Sequence, residues 1–475
     1  MEKSKIEKAK KQPKLIELVL LFVIFISLAF TLIAIYELPV PLVLLIGLFL
    51  AVLLGIKNGY TYKELNDAIK DGIYSGTDVL LILVAVGALI GTWISGGVVP
   101  TIIYYGLDII NPSIFLLVTL LICAFTSLAT GTSWGTAGTA GIALVIIGEG
   151  LGYPTPLVIG AVLSGAFFGD KLSPLSDSTI IAAGMARVDI IDHVRSMLYV
   201  DIPALVISGI AFTIVGFNYS VSNPSNIEKA NEFMTALDST FTINLFMLLP
   251  ALIVIILLAM KKPAFPTIAF GALLGTLWTI FFQDFGLVAA INAAYQGLSM
   301  EFHNEFLNNL LNRGGIMSMM EGLVIILIGL GFGGVLTRIN ALEVIANSIF
   351  KFIKTAGSLT ASTVFLGILG NALTSATSVS LILASKITEK KYDELNISRT
   401  VLSRNTEAGA TTTGPMIPWC DSGVFLASLF GMSVFTFLPF MWVNFLAIIL
   451  SLIYGFTNTF IWKQNEEEQY SWEKN

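Results

Sequence analysis

One stretch constrains the fold more than any other, because the chain carries it twice. Val162 to Ser178 reads VLSGAFFGDKLSPLSDS, and 244 positions later Thr406 to Ser422 reads TEAGATTTGPMIPWCDS. Without a gap, Gly165 meets Gly409, Ala166 meets Ala410, Pro174 meets Pro418, Asp177 meets Asp421 and Ser178 meets Ser422. The same offset pairs Thr130 with Thr374 and Gly87 with Gly331, which makes a duplicated half the better explanation. Each copy interrupts an apolar run with Pro-x-x-Asp-Ser. Inside a bilayer, backbone freed by such a break must be satisfied by protein or line a cavity. Both copies therefore read as broken helices carrying polar groups at membrane depth.

The surrounding runs support that setting. Leu15–Tyr36, Leu198–Phe217, Phe241–Met260 and Phe440–Phe460 are near-unbroken apolar stretches of spanning length. Only 12% of the 475 residues are charged and the mean hydropathy is +0.83, whereas soluble domains carry about 25% charged residues. The fold class is an all-α polytopic membrane protein, with the lipid bilayer as its first partner. The net charge of −6 leaves few charges free to form a surface field, and no nucleic-acid partner is expected. Cys123 and Cys420 lie in apolar surroundings and are expected to be free thiols.

The boundaries follow in order: a basic tail (1–14), a first repeat (15–217), a polar linker (218–240), a second repeat (241–462) and a tail (463–475). The basic tail belongs on the cytoplasmic side, and the 22-residue run after it lacks a small-residue cleavage site, so it is a retained span. The loops alternate in charge between halves. Residues 57–76 hold Lys57, Lys63 and Lys70 against Arg313 alone in 283–317. Residues 94–113 hold no Lys or Arg against Arg338, Lys351 and Lys354 in 337–357. Residues 148–157 hold none against Lys386, Lys390, Lys391 and Arg399 in 386–399, and Arg187 and Arg195 in 186–197 face none in 430–441. That pattern is required of two inverted-topology repeats. Each repeat is expected to have about five crossings, a broken helix and a re-entrant hairpin, at Ile114–Ile147 and Gly357–Ser385, with tips at Ala129–Gly141 and Asn371–Ser380. The linker then lies outside and both termini inside.

Charged side chains stranded in the membrane need a partner or a purpose. The candidates are Asp170, Lys171 and Asp177 in the first half, with Arg404, Glu407 and Asp421 in the second. Structural roles compete: a local Asp170–Lys171 ion pair, an Arg404–Glu407 pair three residues apart, and helix capping by Asp177 and Asp421. Ion binding is the alternative, because a break beside a hairpin tip gathers carboxylate, hydroxyl and carbonyl oxygens, the hard ligands of a small cation. Around Asp177 stand Ser173, Ser178 and Thr179, with Thr130, Thr132, Ser133 and Thr136 on the first tip. Around Asp421 stand Thr412, Thr413 and Ser422, with Asn371, Thr374, Ser375 and Thr377 on the second. Asp177 and Asp421 are the expected sodium ligands, and Asp177, with Asp170 seven residues before it, is the expected proton carrier. His193 and His303 are far apart in loops, so no transition-metal site and no cofactor is expected, sodium being cargo.

The runs GTSWGTAGTAG, FFGDKLSPLSDST and ARVDIIDHVR resemble the NhaC-type sodium/proton antiporters of bacteria, including malate/lactate antiporters that exchange a dicarboxylate and protons for sodium and lactate. The resemblance spans most of the chain. It implies a cell-membrane secondary transporter of the ion-transporter superfamily, with paired hairpins and dimerisation, moving sodium and protons. The alternative is sodium- or proton-coupled exchange of small carboxylates, for which Lys171, Arg404 or half-helix N-termini would supply positive charge. Other classes fit less well. A membrane aspartyl protease would need Gly-x-Gly-Asp, but Phe167 stands two before Gly169. A primary pump would need a phosphate-binding Gly-rich loop, which the chain lacks, and a channel would not saturate. The chain reads as no enzyme.

Overall fold

The computed structural model describes residues 10–29, 31–32, 36, 39–109, 111–222, 234–300, 311–312 and 314–464. Most of the basic tail, the middle of the linker (223–233) and nearly all of the C-terminal tail (465–475) lie outside the described residues. Among the described residues the secondary structure is helical, apart from one antiparallel bridge between Ile397 and Lys463. Among the described residues eight helices are long and apolar enough to cross a membrane, or up to 10 when two bent pairs are counted as spans. Each hairpin begins with a 19-residue apolar segment, Pro112–Thr130 and Ala356–Thr374, long enough for a full crossing and not only a dip.

Burial separates lipid-facing helices from central ones. Leu42, Leu45, Phe49, Leu53 and Ile56 form an exposed apolar stripe on Val40–Lys57, as do Val206, Ile210, Ile214 and Phe217 on Ile190–Ser222. In water such faces would be an aggregation liability; hydrocarbon solvates them. The two helices that lead into the breaks are the reverse. Every residue from Leu157 to Leu172 is buried, and so is every residue from Val401 to Gly409.

Glycine makes this enclosure possible. A Cβ at Gly165 would fall 2.2 Å from the Leu120 carbonyl oxygen, so only glycine lets Thr155–Leu172 lie against Phe115–Thr130. A Cβ at Gly409 would fall 2.6 Å from the Val364 carbonyl oxygen, which is the same contact displaced by 244 positions.

The duplication recurs in other details. Asp177–Ala186 and Asp421–Phe430 have bounds separated by the same offset. Their C-terminal caps, Arg187 (φ 57°) and Gly431 (φ 62°), are both left-handed. The hairpin turns also match, at Gly131 (φ 69°) and Ser375 (φ 56°). The Ser127 hydroxyl donates to the Ala166 carbonyl at 2.6 Å, and the Asn371 amide donates to the Ala410 carbonyl at 2.7 Å.

Both ends of one helix differ from the sequence reading, and His193, read as a loop residue, lies buried within it, 2.8 Å from the Ser403 hydroxyl. Ile190–Ser222 runs for 33 residues, into the segment assigned to the linker. It passes through Pro203, which cannot donate to the carbonyl of Tyr199. The Tyr454 hydroxyl donates to that carbonyl instead, at 3.2 Å.

Candidate functional site

In the first half the break falls at Ser173–Ser176, between Thr155–Leu172 and Asp177–Ala186. Asp170, on the last turn before the break, gathers the hydroxyls. Ser133 on the hairpin donates to its Oδ2 at 2.7 Å, and Ser176 donates to its Oδ1 at 2.6 Å. Asp177 is exposed at the first position of the following helix. The Ser173 hydroxyl is spent on the Leu128 carbonyl, Thr179 lies against the carbonyls of Asp170 and Lys171, and Ser178 contacts Ser176 at 3.1 Å. On the tip, Thr130 bonds back to Thr126, Thr132 caps the short helix through the Gly135 N–H, and the buried Thr136 hydroxyl has no partner.

The second half builds a different centre from equivalent positions. Thr377 occupies the place of Ser133, and its hydroxyl donates to Asp421 at 2.7 Å. The backbone N–H groups of Thr377 and Ser422 also point at the Asp421 carboxylate, which therefore caps two helices at once. The Ser422 hydroxyl lies 3.3 Å from the same oxygen, and the Asp421 N–H donates to the Ser375 carbonyl. Asn371 holds the unwound strand through Ala410 and Thr413, while Thr374 turns onto the Ala376 carbonyl and the Ser375 hydroxyl is unbonded.

Between the two breaks lies a buried charged cluster. Lys171 does not pair with its neighbour Asp170. It reaches Asp201 on Ile190–Ser222 at 2.6 Å and Thr412 at 3.3 Å. Both members of the ion pair are buried, at 1% and 0% exposure. Thr412 in turn donates to the Glu407 carbonyl, and Asn444 donates to the Thr412 carbonyl at 2.9 Å. Glu407 is fully buried within electrostatic reach of Lys171, Asp170 and Asp201. Among the described residues neither Glu407 oxygen makes a hydrogen bond of good geometry, and the Thr411 hydroxyl beside it is the one group near enough to interact weakly. The Arg404–Glu407 pair is not formed; Arg404 turns to the Phe460 carbonyl at 3.1 Å and lies over the Trp462 ring.

Asp201 and Asn444 belong to the site and were not singled out from sequence. Asp201 was hidden in Leu198–Phe217, a stretch read as near-unbroken apolar. The signal was present, since a carboxylate in a span and a lysine in a broken helix each demand a partner. Buried acceptors without donors also collect here: Asp201 Oδ2, Asn371 Oδ1, Asn405 Oδ1, Asn444 Oδ1 and both oxygens of Glu407. No group of three or more His, Cys, Asp or Glu that could hold a metal ion occurs among the described residues, so a bound cation would draw on hydroxyl, amide and carbonyl oxygens as well.

The chain matches the Na+/H+ antiporter family over residues 6–195 and 165–459. It is 53% identical over 450 residues to the malate-2H+/Na+-lactate antiporter of Bacillus subtilis, covering 95% of this chain and 96% of that protein. It is 37% identical over 426 residues to the Na+/H+ antiporter NhaC of Alkalihalophilus pseudofirmus, covering 90% and 91%. It is 35% identical over 411 residues to the arginine/ornithine antiporter ArcD of Halobacterium salinarum, covering 86% and 85%. The family also fits the charged broken helices at the centre of the fold: this chain is a member of the Na+/H+ antiporter family.

Proposed function

We propose that the protein exchanges sodium for protons across the membrane, with Glu407 and Asp170 as the carboxylates that alternate between the two ions. The observation that carries this is the fully buried Glu407 carboxylate, which has no cation at ion-pair distance and no well-formed hydrogen bond among the described residues. Asp421 is compensated by two helix N-termini, each worth about half a positive charge. The rest of the cluster sets three carboxylates (Asp170, Asp201, Glu407) against two cations (Lys171, Arg404). One negative charge in excess, held away from water, requires a proton or a monovalent cation. Competition of the two for one place, with access alternating between sides, is antiport. Asp177, exposed at the head of its half-helix, is the first ligand sodium meets on approach, and Asp421 fixes the second tip.

The recurring caps and glycine contacts, together with the alternating loop charges, support two inverted repeats with both termini in the cytoplasm. A second reading, exchange of small carboxylates such as malate and lactate coupled to the same ions, is favoured by the 53% identity to an antiporter of that kind. Proteoliposomes loaded with sodium and a pH-sensitive dye, with and without external malate or lactate, test both. Wild-type protein should acidify or alkalinise the lumen according to the sodium gradient, and Glu407→Gln should not. Full activity in Glu407→Gln would remove the assignment.

A further inference from the structure

Three Lys or Arg side chains are buried among the described residues, and two are fully engaged. Lys171 is paired with Asp201, and Arg399 with Glu389 and Asp393 at 2.5 and 2.6 Å. Arg404 is different. At 0% exposure it has, among the described residues, no carboxylate within ion-pair distance, and of its N–H groups only Nη2 is bonded there, to the Phe460 carbonyl at 3.1 Å. Nε and Nη1 have no partner among the described residues. A buried guanidinium with an unused fork lacks the two-oxygen ligand that its geometry suits best.

What covers Arg404 is a strap at the end of the last helix. After Trp442–Thr457 the chain turns at Asn458 (φ 56°) and Phe460 (φ 52°), then lays Trp462 over the guanidinium, 5.3 Å from the ring centroid. A left-handed backbone at a bulky aromatic residue is a costly conformation. The strap is pinned by the Ser398 N–H to the Trp462 carbonyl, the antiparallel bridge of Lys463 with Ile397, the Gln464 amide to Asp393, and ring contacts of Phe460 with Tyr199 and Tyr454 and of Trp462 with Tyr199. Phe460 is itself 39% exposed, so Arg404 lies one layer beneath the surface.

We infer that Arg404 is the binding group for the carboxylate of a small organic acid, and that the Phe460–Trp462 strap occupies its place when the acid is absent. The Phe460 carbonyl stands where one carboxylate oxygen would sit. Both edges of the fork include Nη2, so either can take two oxygens once that carbonyl withdraws. Arg404 acts electrostatically on Asp201, and through it on Lys171 and the cation cluster. A carboxylate arriving at Arg404 adds negative charge to a cluster already one short of neutral. Its entry is thereby tied to uptake of a further cation, which couples the acid to the ions. The inference rests on the carboxylate-exchange reading above.

Equilibrium binding of radiolabelled malate and of radiolabelled lactate to the purified full-length protein, in sodium-containing detergent solution, tests it. Arg404→Gln should weaken binding about tenfold or more, and Arg404→Lys, which keeps charge but not the fork, by a smaller factor. Trp462→Ala, which thins the strap and leaves Arg404 in place, should tighten binding. If the wild type binds neither acid, the carboxylate reading fails and the inference falls with it. If the wild type binds and Arg404→Gln binds equally well, the inference alone is overturned. Should Arg404→Gln not fold, wild-type affinity in Arg404→Lys together with no change in Trp462→Ala would overturn it. Equal displacement of the label by chloride or phosphate would also refute a site specific for carboxylates.

Discussion

Removing Lys171 tests the buried cluster most directly. Lys171→Met deletes one partner of an ion pair in which both side chains are enclosed and leaves Asp201, whose Oδ2 already lacks a partner, without its 2.6 Å contact. Stranding one charge of a buried pair costs about 3–5 kcal/mol. At about 2.1 cal/mol/K per residue, the 475-residue chain has an unfolding entropy of about 1 kcal/mol/K. The melting temperature in detergent should therefore fall by about 3–5 °C. Asp201→Leu should cost a similar amount, because it strands the ammonium instead. The double variant removes both charges and fills the space with apolar groups of similar size, a change that is often neutral. It should regain most of the lost stability, and the double-mutant cycle should show a coupling that approaches the sum of the two single losses. Single variants that each lose less than about 1 kcal/mol, with no coupling, would refute a dry pair at this place and the charge count built on it.

Three further outcomes are expected. With Cys123 and Cys420 replaced, a single cysteine in residues 148–157 should react with an impermeant thiol reagent from outside and one in 386–399 only from inside; labelling of both from one side would end the inverted arrangement. Sodium-driven exchange should saturate, and lowering the pH should raise the KM for sodium, since protons compete for the same carboxylates; a KM independent of pH would point to separate sites. Gly165→Ala should destabilise the protein by about 1–3 kcal/mol, because its Cβ would lie 2.2 Å from the Leu120 carbonyl oxygen, while Gly184→Ala, with nothing within 4 Å, should be silent in thermal unfolding.

Much of the frame was legible in the chain because it is written twice. The shared Pro-x-x-Asp-Ser located both breaks, and Gly165, Gly409, Thr130 and Thr374 proved to sit at packing contacts or helix ends that recur between the halves. The partnerships were harder to read. Adjacent residues on a helix point about 100° apart, so Lys171 faces Asp201 while Asp170 faces Ser133 and Ser176. Arg404 and Glu407 have helical spacing suited to a pair, but Arg404 is drawn to Phe460 and Trp462, residues 56 and 58 positions later, by a contact that no local pattern announces.

The repeat also explains where sequence reasoning put its weight. Matching positions made Asp177 and Asp421 look like the functional pair. In the structure the charged cluster has no image across the duplication. Shifted by 244 positions, Asp170 meets Gly414, Lys171 meets Pro415 and Asp201 meets Phe445. Arg404 and Glu407 meet Gly160 and Leu163. At Gly414 the reason is steric, since a Cβ would lie 2.5 Å from the Thr377 hydroxyl that serves Asp421. Two equivalent frames thus enclose one set of charges, supplied unequally by both halves. A duplicated ion site would have required the set twice, with two unpaired carboxylates deep in the membrane. On the proposed exchange, a single shared cluster would be opened from either side by moving one frame against the other, with no exchange of side chains between two places.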